Sequence, residues 1–100
     1  MVYRVVYTDE FLGDIDRHVD YLLTEGAGVD TVAAWYRKLF ERLDDLGEMP
    51  RDYPVDELQG EENGRETRKL VYRNYQAFYS IDDKQRCVFL MKFQHGARRQ

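Results

Sequence analysis

Five side chains in the last third of the chain are of types that handle anionic groups: Arg68, Lys92, His95, Arg98 and Arg99. A guanidinium offers a planar fork of donors that suits a phosphate or carboxylate. Histidine is the side chain whose unperturbed pKa lies nearest neutrality, so it can give or take a proton at physiological pH. Two readings are open for Arg68: it meets a phosphate, or it holds the acidic 56–66 stretch by ion pairing. His95 is open in the same way, between acid–base work and an ordinary surface position. Other residues of reactive type have plainer assignments. His18 lies beside acidic residues on a helical stretch and reads as structural. Cys87 sits in an apolar run and reads as a small core residue; as the only cysteine it excludes an internal disulfide. Two histidines and one cysteine assemble no zinc set, and Asp44-Asp45 gives no reason for a metal, so no cofactor is expected.

The charge distribution directs attention to the same region. The 100-residue chain has a net charge of −4. Residues 1–64 hold 6 Lys+Arg against 16 Asp+Glu, or −10, whereas residues 65–100 hold 9 against 3, or +6. The basic third either faces an anionic partner or is simply attracted to the acidic part, and charge leaves both open. The length suits one domain over 1–100. No apolar run reaches the length of a membrane span, and Arg4, Asp9, Glu10 and Asp14 interrupt any signal-peptide core. A cytoplasmic location with no membrane partner is expected.

The elements that must position these side chains show clear periodicities. Residues 2–7 are β-branched and aromatic and predict a strand. Thr8 is placed to cap a helix, with Asp9 and Glu10 complementing its dipole and Phe11, Ile15, Val19 and Leu22 at helical spacing up to about Thr24. Asp30 or Thr31 is expected to cap a second helix whose stripe is Val32, Trp35, Tyr36, Leu39, Leu43 and Leu46, stopped by Gly47. Trp35 is expected in the core. The short connection between the helices predicts an antiparallel hairpin. Met49-Pro50, Tyr53-Pro54 and the acidic 56–64 stretch predict a long loop.

Residues 67–72, 75–81 and 87–93 then predict three strands in an antiparallel meander. Strict alternation would put Cys87, Phe89, Met91 and Phe93 on one face of the last strand, with Val88, Leu90 and Lys92 on the other. One sheet face packs on the helices; the other either binds a partner or lies under a loop. The expected fold is α+β, in the order β-α-α-β-β-β, with a helical hairpin on a small antiparallel-type sheet.

Arg68-Lys69-Leu70, Tyr75-Gln76-Ala77-Phe78-Tyr79-Ser80-Ile81, Val88-Phe89-Leu90-Met91 and His95-Gly96-Ala97-Arg98 follow one another in an order and spacing that resembles the RelE/ParE toxin superfamily. Its pattern is Arg-x-Leu, an aromatic strand of the type Tyr-x-x-Phe-Tyr, a hydrophobic last strand and a terminal His-x-x-Arg. Tyr7 and Asp9 lead into a helix bearing Leu12, Ile15 and Tyr21, and Leu43, Leu46 and Pro50 close the second helix, in agreement with it.

The resemblance implies the toxin of a type II toxin–antitoxin (plasmid stabilisation) module, neutralised by a cognate antitoxin. RelE-like members cleave mRNA in the ribosome; ParE-like members poison DNA gyrase and need no nuclease residues. Under the resemblance Arg68 is the phosphate-stabilising arginine and His95 the acid–base histidine of a nuclease member, while Lys92, Arg98 and Arg99 contact target or phosphate. Two departures bear on this: position 96 is Gly where some nuclease members carry a tyrosine, and the stretch before Arg68 is acidic where lysine-using members are basic. The expectation is a ParE-like inhibitor of a target such as gyrase. The alternative is a RelE-like ribosome-dependent endoribonuclease using Arg68 and His95, and the third option is a degenerate, non-toxic partner of an antitoxin. An apolar strand face left uncovered without the antitoxin would favour self-association.

Overall fold

Thr8 turns the chain out of its first strand and into its first helix. Its hydroxyl accepts a hydrogen bond from the Phe11 N–H (3.2 Å) and donates one to the Leu90 carbonyl (2.7 Å). One residue thus caps a helix and ties it to the last strand. The computed structural model describes residues 2–58, 60–62 and 64–96. Its elements are β1 (Arg4–Tyr7), α1 (Asp9–Thr24), α2 (Val29–Asp44), a 3₁₀ turn (Asp45–Gly47), β2 (Glu61–Glu62), β3 (Arg65–Glu66), β4 (Arg68–Tyr72), β5 (Tyr75–Asp82) and β6 (Cys87–His95). None of the described helices is long and apolar enough to cross a membrane.

The helical hairpin forms as expected, with one shift. α2 starts at Val29 rather than after Asp30 or Thr31, because the Gly28 carbonyl accepts the Val32 N–H (3.0 Å) and Gly28 takes the N-cap place. Asp30 then sits in the first turn, where its charge complements the dipole. α2 returns the chain to the end of the sheet where β1 began, and there the Tyr3 N–H donates to the Gly47 carbonyl (2.7 Å). That return sets the sheet topology. The strand order is β1-β6-β5-β4, with β4, β5 and β6 antiparallel and β1 parallel to β6. The α+β architecture holds, and the sheet is mixed because β4, and after it β6, set out from the same end as β1.

Helices and sheet share a core of Phe11, Ile15, Leu39, Leu43 and Leu46 against Leu70, Ala77, Tyr79, Val88, Leu90 and Phe93. Phe93 belongs there against the expectation from alternation. Tyr79 pairs with Leu90 and Phe78 with Lys92, so Met91 is an extra residue in β6. The bulge inverts the alternation beyond it. Phe93 is turned onto the helix side, where its ring meets Phe11 edge-on at 5.8 Å.

The stretch expected as an irregular loop is tied down. β2 and β3 form a small hairpin, Val55 bridges Arg68, and the Pro54 carbonyl accepts the Lys69 N–H (3.0 Å). The buried Tyr79 hydroxyl donates to the Pro50 carbonyl (2.7 Å). β3 lies against β5, and the Arg65 guanidinium sits 5.4 Å from the centre of the Phe89 ring. On the sheet face away from the helices, Gln76, Phe78 and Ser80 are all buried.

Candidate functional site

The anion-handling residues are divided between the two ends of the sheet. At the end where β4 starts, Arg68 donates from Nη1 to the Tyr53 carbonyl (2.7 Å). It pairs with no carboxylate among the described residues; its fixed partner is backbone. Arg51, Arg65 and Arg68 line one depression of about 340 Å³, together with Gly64, Glu66 and Ile81. Arg51 grips Asp83 with two bonds (2.7 and 3.2 Å), and Arg65 reaches Asp82 at 3.5 Å. The Tyr3 hydroxyl also donates to Asp83 (2.6 Å). Arg51 and then Tyr3 hold the Asp83 carboxyl below its ordinary value.

At the other end, beside the Arg73-Asn74 turn, His95 closes β6. Its ring lies 5.8 Å from that of His18, nearly parallel at 17°, and 5.1 Å from that of Tyr75, nearly perpendicular at 79°. His18 is buried, and its Nε2 lies 3.0 Å from the Tyr75 hydroxyl. A depression of about 300 Å³ beside them is lined by Asp14, Arg17, His18, Phe93, Gln94 and His95. Asp14 is engaged there by Arg17 and by the Phe93 N–H (3.0 Å). His18 of α1 and His95 of β6 thus lie ring against ring. No local pattern announces this, because the two histidines are distant in sequence and meet through the fold.

Arg68 and His95 are not brought together. Arg68 pairs with Tyr79 on one side of β5, and His95 pairs with Tyr75 on the other. Four residues along a strand and two strand spacings across it place their Cα atoms about 16 Å apart. Lys92 is on a third surface: it is exposed on the face away from the helices, and there Lys69 and Lys92 flank Phe78. Arg98 and Arg99 lie outside the described residues.

Two further surfaces were not singled out by the sequence. Trp35 is only partly buried, packing against the core rather than within it. It lines a depression of about 480 Å³ with Asp30, Thr31, Ala34, Lys38, Tyr72 and Arg73. Its indole N–H is buried with no acceptor among the described residues, which costs about 1–3 kcal/mol. On the outer side of the helical hairpin, an apolar groove of about 340 Å³ is lined by Val19, Leu23, Val29, Val32, Ala33 and Tyr36, with Asp16. Val29 is 72% exposed and Leu23 40%. Uncovered apolar surface is thus more prominent on the helices than on the outer sheet face expected to carry it.

A family model described as "ParE toxin of type II toxin-antitoxin system, parDE" matches residues 5–100. The chain belongs to this family. It is a toxin of the type II toxin–antitoxin class, with the RelE/ParE fold. The toxin resembles a chain of the RelBE2 toxin–antitoxin complex from Mycobacterium tuberculosis at 21% identity and a TM-score of 0.61, over 95% of this chain and 92% of that one. It resembles a chain of the archaeal RelE–RelB complex from Pyrococcus horikoshii at 20% identity and 0.63, over 99% and 100%. It also resembles a mutant of the E. coli toxin RelE in the free state, at 19% and 0.51, over 95% and 84%. Identities this low speak to the fold. Among curated proteins no sequence matches the toxin.

Proposed function

We propose that this toxin acts as one domain over residues 1–100 in the cytoplasm, inhibiting a macromolecular target by binding, in the ParE manner, with DNA gyrase as the target. The observation that carries this reading is the separation of Arg68 from His95. A nuclease needs its phosphate clamp and its proton donor within hydrogen-bond reach of one phosphodiester. Arg68 and His95 flank β5 on opposite sides and four positions apart along it, at Tyr79 and Tyr75, and Arg68 is bound to the Tyr53 carbonyl. In this reading Lys92, His95, Arg98 and Arg99 serve target contact rather than chemistry. The neutralising partner is a cognate antitoxin, as the toxin–antitoxin complexes among similar structures suggest by analogy.

A second reading, a ribosome-dependent mRNA endoribonuclease, is favoured by one observation: three arginines line a single depression around Arg68. Induced expression separates the readings. Binding predicts growth arrest that survives combined Arg68→Ala and His95→Ala substitution, with loss of supercoiling by purified gyrase. Cleavage of mRNA in a purified translation reaction, abolished by the same pair, overturns it in favour of the nuclease. Unimpaired growth under full induction overturns both and leaves the non-toxic partner.

A further inference from the structure

The depression at the N-terminal half of α2 joins three features that the reading above does not use. Its floor is apolar, formed by Ala34 and the rings of Trp35 and Tyr72. Its rim carries Lys38 and Arg73, and neither pairs with a carboxylate among the described residues. The Trp35 ring carries a buried N–H with no acceptor among those residues. Buried donors without acceptors are rare, and here one accompanies two cations that share the lining with a single carboxylate, Asp30.

Arg73 adds a conformational argument. It stands at the first position of the two-residue turn between β4 and β5 with φ of 55°, where a side chain is strained and glycine is preferred. Strain of this kind persists where the surrounding structure fixes it, and it is often found at binding sites. Here it keeps a guanidinium 5.6 Å from the centre of the Tyr72 ring, at the mouth of the cleft.

We infer that the Trp35–Lys38–Tyr72–Arg73 cleft receives a carboxylate side chain, carried next to an apolar one, from a protein that binds this toxin. The inference rests on the reading that a protein antagonist holds the chain. An apolar neighbour would cover the floor while the carboxylate meets the Lys38 and Arg73 cations. A polyanionic strand suits the cleft poorly. Asp30 shares the lining, and the Tyr72 ring is already engaged by Arg42 (5.7 Å) as well as Arg73, so it is no free platform for a base.

Trp35 is the only tryptophan in the chain, so its fluorescence reports on its own surroundings, and the Lys38 and Arg73 variants assign a change to the cleft. The purified toxin is titrated with N-acetyl-phenylalanyl-glutamate amide and with its glutamine counterpart. A saturable change with the glutamate probe is expected, with roughly tenfold weaker binding of the glutamine form. Lys38→Ala and Arg73→Gly should each weaken the glutamate probe by about the same factor. Arg73→Gly is the decisive variant, because glycine accepts the turn conformation and should leave the melting temperature unchanged or raised. Equal binding of the two probes, or an Arg73→Gly toxin that binds the glutamate probe as well as the parent, overturns the inference. So does a short single-stranded oligonucleotide that saturates the same signal at lower concentration. The titration reads the cleft on purified protein, and rescue of growth by a co-expressed antitoxin reads the antagonist, so the two proposals fail separately.

Discussion

Tyr79→Phe removes one oxygen atom from the largest fully buried side chain among the described residues, and its effect can be worked out with opposite trends at two pH values. The Tyr79 hydroxyl donates to the Pro50 carbonyl at 2.7 Å, and both residues are buried. Phenylalanine fills the same ring volume, so the substitution leaves little cavity; the loss is the bond and the carbonyl left without its donor. Such changes cost about 1–2 kcal/mol. In a chain of this size that lowers the melting temperature by roughly 4–16 °C. Burial holds the Tyr79 phenol well above its ordinary value of 10.0, because the phenolate would be charged in the core. A group whose folded pKa is raised stabilises fully below its unfolded value and loses that contribution as pH rises past it. The parent should therefore lose stability steeply above about pH 10. The variant starts lower and declines less, although Tyr7, raised by burial and by Asp44, keeps some of the slope. Thermal melts followed by circular dichroism from about pH 7 to about pH 11 read both effects, spanning the phenol's unfolded pKa. Curves that run parallel, or equal melting temperatures at neutral pH, would refute the assignment of that hydroxyl to Pro50.

Gly47→Ala should destabilise by about 1–3 kcal/mol in urea unfolding, since a Cβ there would stand 2.7 Å from the Tyr3 carbonyl oxygen and 3.4 Å from a Val5 methyl. A change within error would mean that β1 is not anchored to the end of α2. Asp83, held below its ordinary 3.8 by Arg51 and Tyr3, contributes stability above that value and loses it as pH falls through its own lowered pKa. Its NMR titration midpoint should lie below 3.8 and move up in Arg51→Ala; a midpoint insensitive to Arg51 would contradict the pairing.

Much of the fold is legible in local chemistry. Thr8 announces the first helix, and the three aromatic strands fall near their expected places; Phe11, Ile15, Leu39, Leu43 and Leu46 of the helical stripes reach the core, while Val19, Val32 and Tyr36 line the outer groove. What escapes is decided between distant segments. Nothing local to residues 4–7 says that they will pair in parallel with β6; that follows from where α2 sets the chain down. The 3₁₀ turn and the Pro50 and Pro54 carbonyls turn an expected loop into structure through bonds to Tyr79 and Lys69. For the candidate site, residue types were readable and their grouping was not. Arg68 and His95 look like partners along the sequence, yet the pairing of β4, β5 and β6 separates them and gives His95 a different neighbour in His18.

The extra residue at Met91 makes the end of β6 a matter of parity. Every side chain beyond it emerges on the surface opposite to the one a simple count assigns, so one inserted position decides which side of the molecule Lys92, Phe93, Gln94 and His95 address. Insertion or loss of a single codon at that point would invert those four positions without altering any of their identities. Two sequences that align well through their final strand can therefore present the same residues to opposite surroundings, and inherited roles for residues after the bulge are only as sound as the agreement on that one residue.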